Sequence, residues 1–167
     1  MEEIKVSLTD CIAPCFYDLH KDIKAGNHTY YDLEGGRGST KSSFVSIEIV
    51  LGIMQDPEAN AVVFRKVKDT IGESVYEQIL WAIDKLGVSA DWHCTASPYR
   101  CVYKPTGQRI MFRGLDKAGK VKSIKVAKGY IKYLCLKKLT SSQAWKKYEK
   151  YNSLYFVVEV NSLYSSL

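Results

Sequence analysis

The chain has 167 residues and a formal net charge of +6, and this length is sufficient for one domain with a sizeable core. Its apolar and charged fractions are ordinary for a soluble globular protein, and no apolar run is long enough to span a bilayer. Residues 1–6 begin with acids and contain no long apolar stretch, which excludes a signal peptide, so we predict a cytoplasmic protein with no membrane partner. The basic excess permits contact with nucleic acid and is equally consistent with a solvated basic surface.

Predicted helices and strands alternate along the chain. Residues 16–25 predict a short helix that ends at Gly26, and residues 41–54 predict a helix that is apolar on most sides and therefore buried. A third helix carries an apolar stripe over residues 70–86 and ends at Gly87. Strands are predicted at residues 29–34, 60–64, 92–103, 108–112 and 129–134, with a Pro and Gly turn at 104–107. This order predicts an α/β fold with a largely parallel sheet flanked by helices and an inserted β-hairpin.

A glycine-rich segment follows the first predicted strand and precedes the second predicted helix. It consists of Gly35, Gly36, Arg37, Gly38, Ser39, Thr40, Lys41 and Ser42. Strand, glycine loop, Lys-Ser and helix stand in the order of a phosphate-binding loop, whose backbone N–H groups point at phosphate oxygens. In such a loop Lys41 would reach the outer phosphates and the Ser42 hydroxyl would help to hold magnesium. The alternative is a glycine-rich turn that joins a strand to a helix.

Thr40 departs from the usual motif, G-x-x-x-x-G-K-S/T, which has a glycine just before the lysine. A β-branched residue restricts the backbone at this position. We therefore expect the loop to use φ and ψ values that threonine tolerates.

Five cysteines in a cytoplasmic chain predict free thiols. Cys11 and Cys15 are four residues apart, and His93-Cys94 lies near Cys101. Neither group matches the spacing of a structural zinc site with a second half-site, so buried free cysteines are expected.

The chain resembles the N-terminal ATPase domain of phage terminase large subunits, of the type found in PBSX-like prophages. The resemblance covers about residues 13–134 and includes, besides the glycine loop, Phe16-Tyr17, His20, Val62-Val-Phe-Arg-Lys66, residues 74–83, Ile110-Met-Phe-Arg-Gly-Leu-Asp116 and residues 120–124. It implies a P-loop NTPase-type fold and a motor that hydrolyses ATP to drive double-stranded viral DNA into a capsid. By the same resemblance, the partners are the small terminase subunit and the portal protein, in the cytoplasm of a bacterial host that carries the prophage. The family's C-terminal nuclease domain is expected to be absent, because the chain is too short to hold it.

The same resemblance implies roles for individual residues of the loop. Lys41 is expected to bind the β- and γ-phosphates of ATP, and Ser42 the Mg²⁺ ion. Arg37 is a candidate arginine finger that would stabilise charge on the transferred phosphoryl group. A solvated loop arginine is the alternative for Arg37.

Other residues near the predicted strand ends are weaker candidates. Arg65 and Lys66 end a strand where ligands of α/β folds often bind, and ordinary surface charge explains them equally well. Asp116 is expected to be a turn residue. The aromatic residues Tyr30, Tyr31 and Trp81 are expected to lie in the core or the sheet rather than to stack on adenine.

An acidic motif is missing where a working ATPase of this class needs one, at the end of the strand predicted at residues 129–134. An acid there reaches magnesium, and a neighbouring glutamate orients the attacking water. The chain continues instead with Cys135-Leu-Lys-Lys138. Codons TGT TTG AAG AAR for this segment become TGG TTT GAA GAA, the Trp-Phe-Glu-Glu of the family, when one lost G is restored.

We therefore predict a partial ATPase domain at residues 1–134, which leaves the sheet incomplete, and an atypical basic tail at residues 135–167 that is read from a shifted frame. The hypothesis fails if the DNA after codon 134 cannot encode Trp-Phe-Glu-Glu in a neighbouring frame. The tail contains possible helical and β segments at residues 143–151 and 153–160. A basic DNA-binding helix at residues 137–150 is the alternative.

Three functions remain open from the sequence. The first is a terminase motor fragment that binds ATP weakly and hydrolyses it negligibly. The second is a non-enzymatic protein that binds a nucleotide or DNA through the loop and the basic tail. The third is another P-loop NTPase, such as a helicase-like protein, whose acid comes from elsewhere in the chain; a carboxylate such as Asp116 within reach of the Ser42 hydroxyl would support it.

Overall fold

Seven strands form one sheet in the computed structural model, which describes residues 6–36, 38–65, 71–114, 124 and 126–137, and the backbone of 156–160. The strands of this part are β1 (Tyr30–Leu33), β2 (Ala59–Arg65), β3 (Trp92–Ala96), β4 (Tyr99–Tyr103), β5 (Arg109–Gly114), β6 (Tyr130–Lys137) and β7 (Phe156–Val160). Its α-helices are α1 (Tyr17–Ala25), α2 (Lys41–Gln55) and α3 (Glu77–Lys85), with short 3-10 turns at Leu8–Asp10, Pro14–Phe16 and Ser89–Asp91.

The sheet has the strand order β1-β7-β6-β2-β5-β4-β3. The first five of these strands run parallel, whereas β4 is antiparallel to β5 and β3 is antiparallel to β4. The predicted α/β class, with a largely parallel sheet and an antiparallel hairpin, is confirmed. Because the five strands are parallel, their carboxyl ends meet at one edge, and the glycine loop follows β1 at that edge.

Side chains alternate along the central strand β2 between two apolar clusters. Ala61 and Val63 pack in the larger cluster with α2 and α3, and Val62 and Phe64 pack in a second cluster on the opposite face. Burial on both faces explains why β2 is a continuous apolar run in the sequence. Helix α2 is also buried on most sides, as predicted.

Two buried amides join the amino ends of the parallel strands. Asn60 in β2 donates through Nδ2 to the carbonyl of Lys128 at 2.9 Å and accepts at Oδ1 from the amide of Arg109 at 2.9 Å. Gln108 donates to the carbonyl of Ile53 at the end of α2, at 2.7 Å. Asn60 therefore joins β2 to the starts of β5 and β6, and Gln108 joins the start of β5 to the end of α2.

The third helix begins differently from the prediction. A π-helical turn at Gly72–Tyr76 precedes α3, and a Cβ atom on Gly72 would lie 2.4 Å from the Tyr99 hydroxyl. A larger residue at this turn would therefore require the Tyr99 side chain to shift. On α3 the side chain of Trp81 is 39% exposed, so the expectation that it is a core aromatic is wrong.

The strand predicted at residues 92–103 is in fact a hairpin. Its turn lies at Ser97-Pro98, and Trp92 faces Tyr103 across β3 and β4. Proline cannot donate to a strand ladder, and Pro98 was the local signal for the break.

The hairpin also corrects the expectation of free thiols. Cys94 and Cys101 lie opposite each other with a Cα–Cα distance of 4.1 Å and form a disulfide. Cys11, Cys15 and Cys135 are free. The pairing depends on the β3–β4 register, which the prediction of a single strand concealed.

The segments after residue 126 extend the sheet beyond the predicted strand. β6 continues past Leu134 to Lys137, and β7 lies where the sequence indicates a possible β segment. The helix predicted at residues 143–151 lies outside the described residues. Among the described helices, none combines the length and the apolar character that a membrane crossing requires.

Candidate functional site

The glycine loop joins the carboxyl end of β1 to the first turn of α2. Gly35, Gly36, Gly38 and Ser39 lie between the two elements, and Lys41 and Ser42 begin the helix. The structure thus brings the loop residues that it describes to the edge of the sheet where the parallel strands end. Arg37, the candidate arginine finger, lies outside the described residues, as do Lys66 and Asp116.

Lys41 folds back into the loop. Its ammonium donates to the carbonyl oxygen of Gly36 at 3.2 Å and to the hydroxyl of Ser39, and the residue is only 7% exposed. Within the part of the chain that the structure describes, Lys41 forms no ion pair with a carboxylate. A buried ammonium held by neutral oxygens favours the approach of an anion, because an opposite charge offsets the cost of its burial.

The first turn of α2 adds to this positive potential. No side chain caps the helix, and no acid occupies its first turn. The first N–H groups of a helix have no intrahelical acceptor, and the helix dipole places partial positive charge there. Together with Lys41 they form an arrangement suited to a phosphate group.

Thr40 adopts a left-handed backbone conformation, which we did not expect from the sequence. Its φ is 56° and its ψ is 8°, which is the left-handed region, and its hydroxyl donates to the carbonyl of Ser39 at 2.8 Å. The expectation of a backbone that threonine tolerates is wrong. The chain keeps the loop geometry that suits glycine and carries the strain of a β-branched residue in it.

A small cavity lies beside the first turns of α2. Two of its lining residues, Gln78 and Lys137, were not linked to the loop by the sequence. Its lining includes Ser42 and Ser46 of α2, Gln78 of α3, and Lys137 at the end of β6. Gln78 also donates to the Ser43 hydroxyl at 3.4 Å, which connects α3 to the same turn. Neither the hydrogen bond of Gln78 nor the presence of Lys137 and Ser42 in one cavity lining had a sequence signal, because both depend on how α3 and β6 pack on α2.

The donors around Ser42 do not fit a magnesium ion held by a serine and a strand-end acid. In the described part of the chain, the cavity is lined by residues with hydroxyl, amide, thiol and apolar side chains and by Lys137, without an acidic residue. Mg²⁺ prefers carboxylate and phosphate oxygens, and an ammonium repels it. Nor do the described residues contain a group of three or more acidic, histidine or cysteine side chains placed to hold a metal.

The remaining candidate residues are placed as follows. Arg65 ends β2 and is the backbone partner of Lys137 in the neighbouring strand β6. Tyr31 is buried and Tyr30 is partly buried in β1, so both are sheet aromatics, as predicted.

A larger cavity of about 400 Å³ lies at the amino end of β6, away from the loop, and is lined by polar side chains including His20, Glu48, Asp56 and Lys132. His20 Nδ1 and Glu48 Oε1 share a hydrogen bond of 2.6 Å. Burial raises the pKa of the Glu48 carboxyl above its ordinary value, and the contact with His20 opposes that rise. Lys132 donates to Asp56 at 2.9 Å. These charged groups are paired with each other, so they support the end of α2 against β6 and define no reaction centre.

Comparison with known proteins gives matches to one family. The family model described as phage terminase large subunit matches residues 27–156. The terminase large subunit of Bacillus phage SPP1 is 42% identical over 124 residues, which cover 74% of this chain and 29% of that protein. The PBSX phage terminase large subunit of Bacillus subtilis (strain 168) is 35% identical over 96 residues, which cover 58% of this chain and 22% of that protein. The chain therefore spans less than a third of the length of these two relatives.

Solved structures share the fold. The large terminase ATPase domain of Thermus phage P74-26 aligns with a TM-score of 0.56 at 12% identity, covering 89% of this chain and 68% of that one. The large terminase of bacteriophage HK97 aligns with a TM-score of 0.59 at 11% identity, covering 92% of this chain and 35% of that one. The sheet, its helices and the loop at the strand ends thus define a protein with the fold of large terminase ATPase domains.

The family follows from the sequence matches. Because the family model covers most of the chain and the SPP1 relative is 42% identical over its matched region, the chain belongs to the phage terminase large subunit family. The resemblance drawn from the glycine loop and the segments around it is confirmed.

Proposed function

We propose that the chain is the ATP-binding part of a phage DNA-packaging motor, and that on its own it binds ATP with negligible hydrolysis. The single observation that carries the proposal is the buried ammonium of Lys41, held by the Gly36 carbonyl and the Ser39 hydroxyl at the uncapped start of α2. A phosphate group placed there would accept hydrogen bonds from Lys41 and from the first N–H groups of the helix.

Six residues of the loop have a proposed part in binding. Gly35, Gly36 and Gly38 let the backbone pass close to the phosphates, and Lys41 bonds to the outer phosphates. Ser42 offers its hydroxyl to the same phosphates. Arg37 is the candidate for stabilising charge on the outermost phosphate, in the manner of an arginine finger.

Hydrolysis needs a carboxylate that orients the attacking water. Among the described residues that line the cavity beside Ser42, the position at the end of β6 is a lysine, Lys137. A lysine cannot accept the water proton as a carboxylate does, so turnover is expected to be negligible. The proposed biological partners are double-stranded viral DNA, the small terminase subunit and the portal protein, and in a bacterial host the protein would act in the cytoplasm.

Titration calorimetry of the purified chain with ATP tests the proposal, together with the variant Lys41→Met. We expect wild-type binding and a loss of affinity of about tenfold or more in Lys41→Met, because a charge-assisted hydrogen bond is lost. Lys21→Met is the matched control, since Lys21 lies on the exposed side of α1 and its side chain is 77% exposed. Equal affinities of the wild type and Lys41→Met would contradict the binding site, and steady ATP turnover that Lys41→Ala abolishes would contradict the absence of hydrolysis.

A further inference from the structure

Lys137 gives the nucleotide site a charge that the family resemblance did not lead us to expect. It is the last residue of β6, and its backbone is in register with Arg65 of β2 and Val160 of β7. The carboxyl ends of these parallel strands lie at the same edge as the glycine loop. Lys137 and Ser42 line the same small cavity beside the first turns of α2.

A lysine at the end of β6 affects the binding of a divalent cation beside Ser42. In P-loop NTPases Mg²⁺ is held between the loop Ser or Thr, an acid at a strand end and the β- and γ-phosphates. Here the strand end offers an ammonium, which repels Mg²⁺ and attracts the phosphates that Mg²⁺ would neutralise. The same side chain therefore lowers the affinity for a metal complex of the nucleotide and raises the affinity for the free anion.

We propose that the loop binds a nucleoside triphosphate in its metal-free form, with the ammonium of Lys137 in place of the divalent cation. The inference rests on the proposed function, since it requires that the loop binds the triphosphate at all. Lys41 neutralises the phosphates from within the loop, and Lys137 does so from the end of β6. Metal-free ATP carries more negative charge than its magnesium complex, and two lysines balance that charge better than one.

A pair of titrations tests the inference at matched ionic strength, one with ATP and excess EDTA and one with ATP and excess Mg²⁺. In the wild type we expect binding to be at least about tenfold tighter without Mg²⁺, because one charge-assisted contact is gained and one repulsion is avoided. Lys137→Glu should reverse the order, so that ATP with Mg²⁺ binds more tightly. Lys137→Met should bring the two affinities close together, and it keeps the test valid if the charge reversal prevents folding.

The controls separate this inference from the proposed function. Binding that Lys41→Met weakens but that is equally tight with and without Mg²⁺ would overturn the role of Lys137 and leave the ATP site intact. No binding under either condition would overturn both.

Glu159 is the backbone partner of Leu136, next to Lys137, in the neighbouring strand β7. Tighter binding with Mg²⁺ in the wild type that is lost in Glu159→Gln would also overturn the inference, because Glu159 would then be the metal ligand.

Discussion

At the scale of single residues, the loop combines a backbone shape that suits glycine with the β-branched side chain of Thr40. Thr40 has φ 56°, and Gly38, two residues before it, has φ 79°. Glycine adopts such values at no steric cost, whereas a left-handed conformation costs an L-residue roughly 1–2 kcal/mol. The hydrogen bond of the Thr40 hydroxyl to the Ser39 carbonyl offsets part of that cost.

We predict that Thr40→Gly raises the free energy of unfolding by about 0.5–1 kcal/mol, because the strain removed exceeds the entropy that glycine adds to the unfolded chain. Urea denaturation measures the change. Thr40→Ala is the control, since it removes the hydroxyl and the branch but keeps the Cβ that causes the strain. A Thr40→Gly variant less stable than the wild type would show that the loop does not hold this residue in a strained conformation.

A phosphate-binding role for the loop could be proposed from the sequence because the residues of the loop are contiguous. Lys41, Ser42 and the glycines stand side by side in the chain, so their order alone indicates a phosphate site. The position of Lys137 could not be predicted in the same way. The missing acid was visible in the sequence, but the presence of Lys137 and Ser42 in one cavity lining depends on the packing of β6 beside β2 and α2.

At the scale of elements, one carboxylate connects α1 to β1. Asp22 near the end of α1 accepts hydrogen bonds from Asn27 Nδ2 at 2.8 Å, His28 Nδ1 at 2.9 Å and the Tyr31 hydroxyl at 2.7 Å. These donors, Asn27 foremost, lower the pKa of Asp22 from 3.8 to about 2. Burial, with the bond to Asp22, raises the pKa of Tyr31 to about 12. Helix α1 thus positions β1, the strand that precedes the glycine loop, through the Asp22 carboxylate, which must stay ionised.

This network predicts a dependence of stability on pH. The folded-state pKa of Asp22 is depressed, so its stabilising effect is complete above pH 3.8 and is lost as the pH falls towards about 2. We expect Asp22→Asn to be less stable than the wild type at neutral pH and to lose less stability over this acidic range. Urea denaturation at a series of pH values measures both slopes.

Asp18→Asn is the control for that experiment. Asp18 lies on the same helix, and its side chain is 98% exposed beside Lys21. Its replacement should leave the acidic slope of the wild type unchanged. An identical slope in Asp22→Asn and the wild type would mean that the network does not act on folding.

The elements also show where local patterns mislead. Helices α1 and α2 and strand β2 were predicted closely, because their ends carry Gly26, the loop and a change to charged residues. The β3–β4 hairpin was missed, since alternating polar and apolar residues continue through its tight turn and Pro98 was the break in the pattern. The sheet order was not predictable from such patterns, because register between distant strands is decided by packing.

At the scale of the whole molecule, β7 connects the loop strand to the rest of the sheet. β7 pairs with β1 on one side and with β6 on the other. Within the described residues, β1 has no other strand as a neighbour. The backbone of residues 156–160 therefore carries the hydrogen bonds that hold the start of the glycine loop in the sheet.

We predict that a chain shortened to end at Lys137 loses protection of the β1 amides, because their partners in β7 are gone. Hydrogen exchange followed by mass spectrometry should show residues 30–33 exchanging much faster than in the full chain. A chain that ends at Val160 is the control and should keep the protection. Equal exchange in the full chain and the chain ending at Lys137 would contradict this dependence.

The division of the chain at Leu134 stays a prediction. β6 continues across that boundary with Cys135 and Leu136 buried, and backbone pairing of this kind requires only apolar side chains on the two faces of a strand. Such a requirement can be met by residues read from a shifted frame as well as by the original ones. The reading frame of the gene after codon 134 remains the decisive observation for the proposed frameshift.

The position of β7 has a consequence for the order of events during synthesis. Tyr30 leaves the ribosome long before its partner in the sheet, Val157. Contacts between residues so distant in sequence form slowly, because the chain loses the entropy of closing a long loop before these contacts can stabilise it. Before residues 156–160 are made, the nascent chain can form the β2–β5 and β4–β5 pairs. The strand β1, which precedes the glycine loop, can pair with β7 only afterwards. The glycine loop is thus expected to take its final position only after the β2–β5 and β4–β5 pairs have formed.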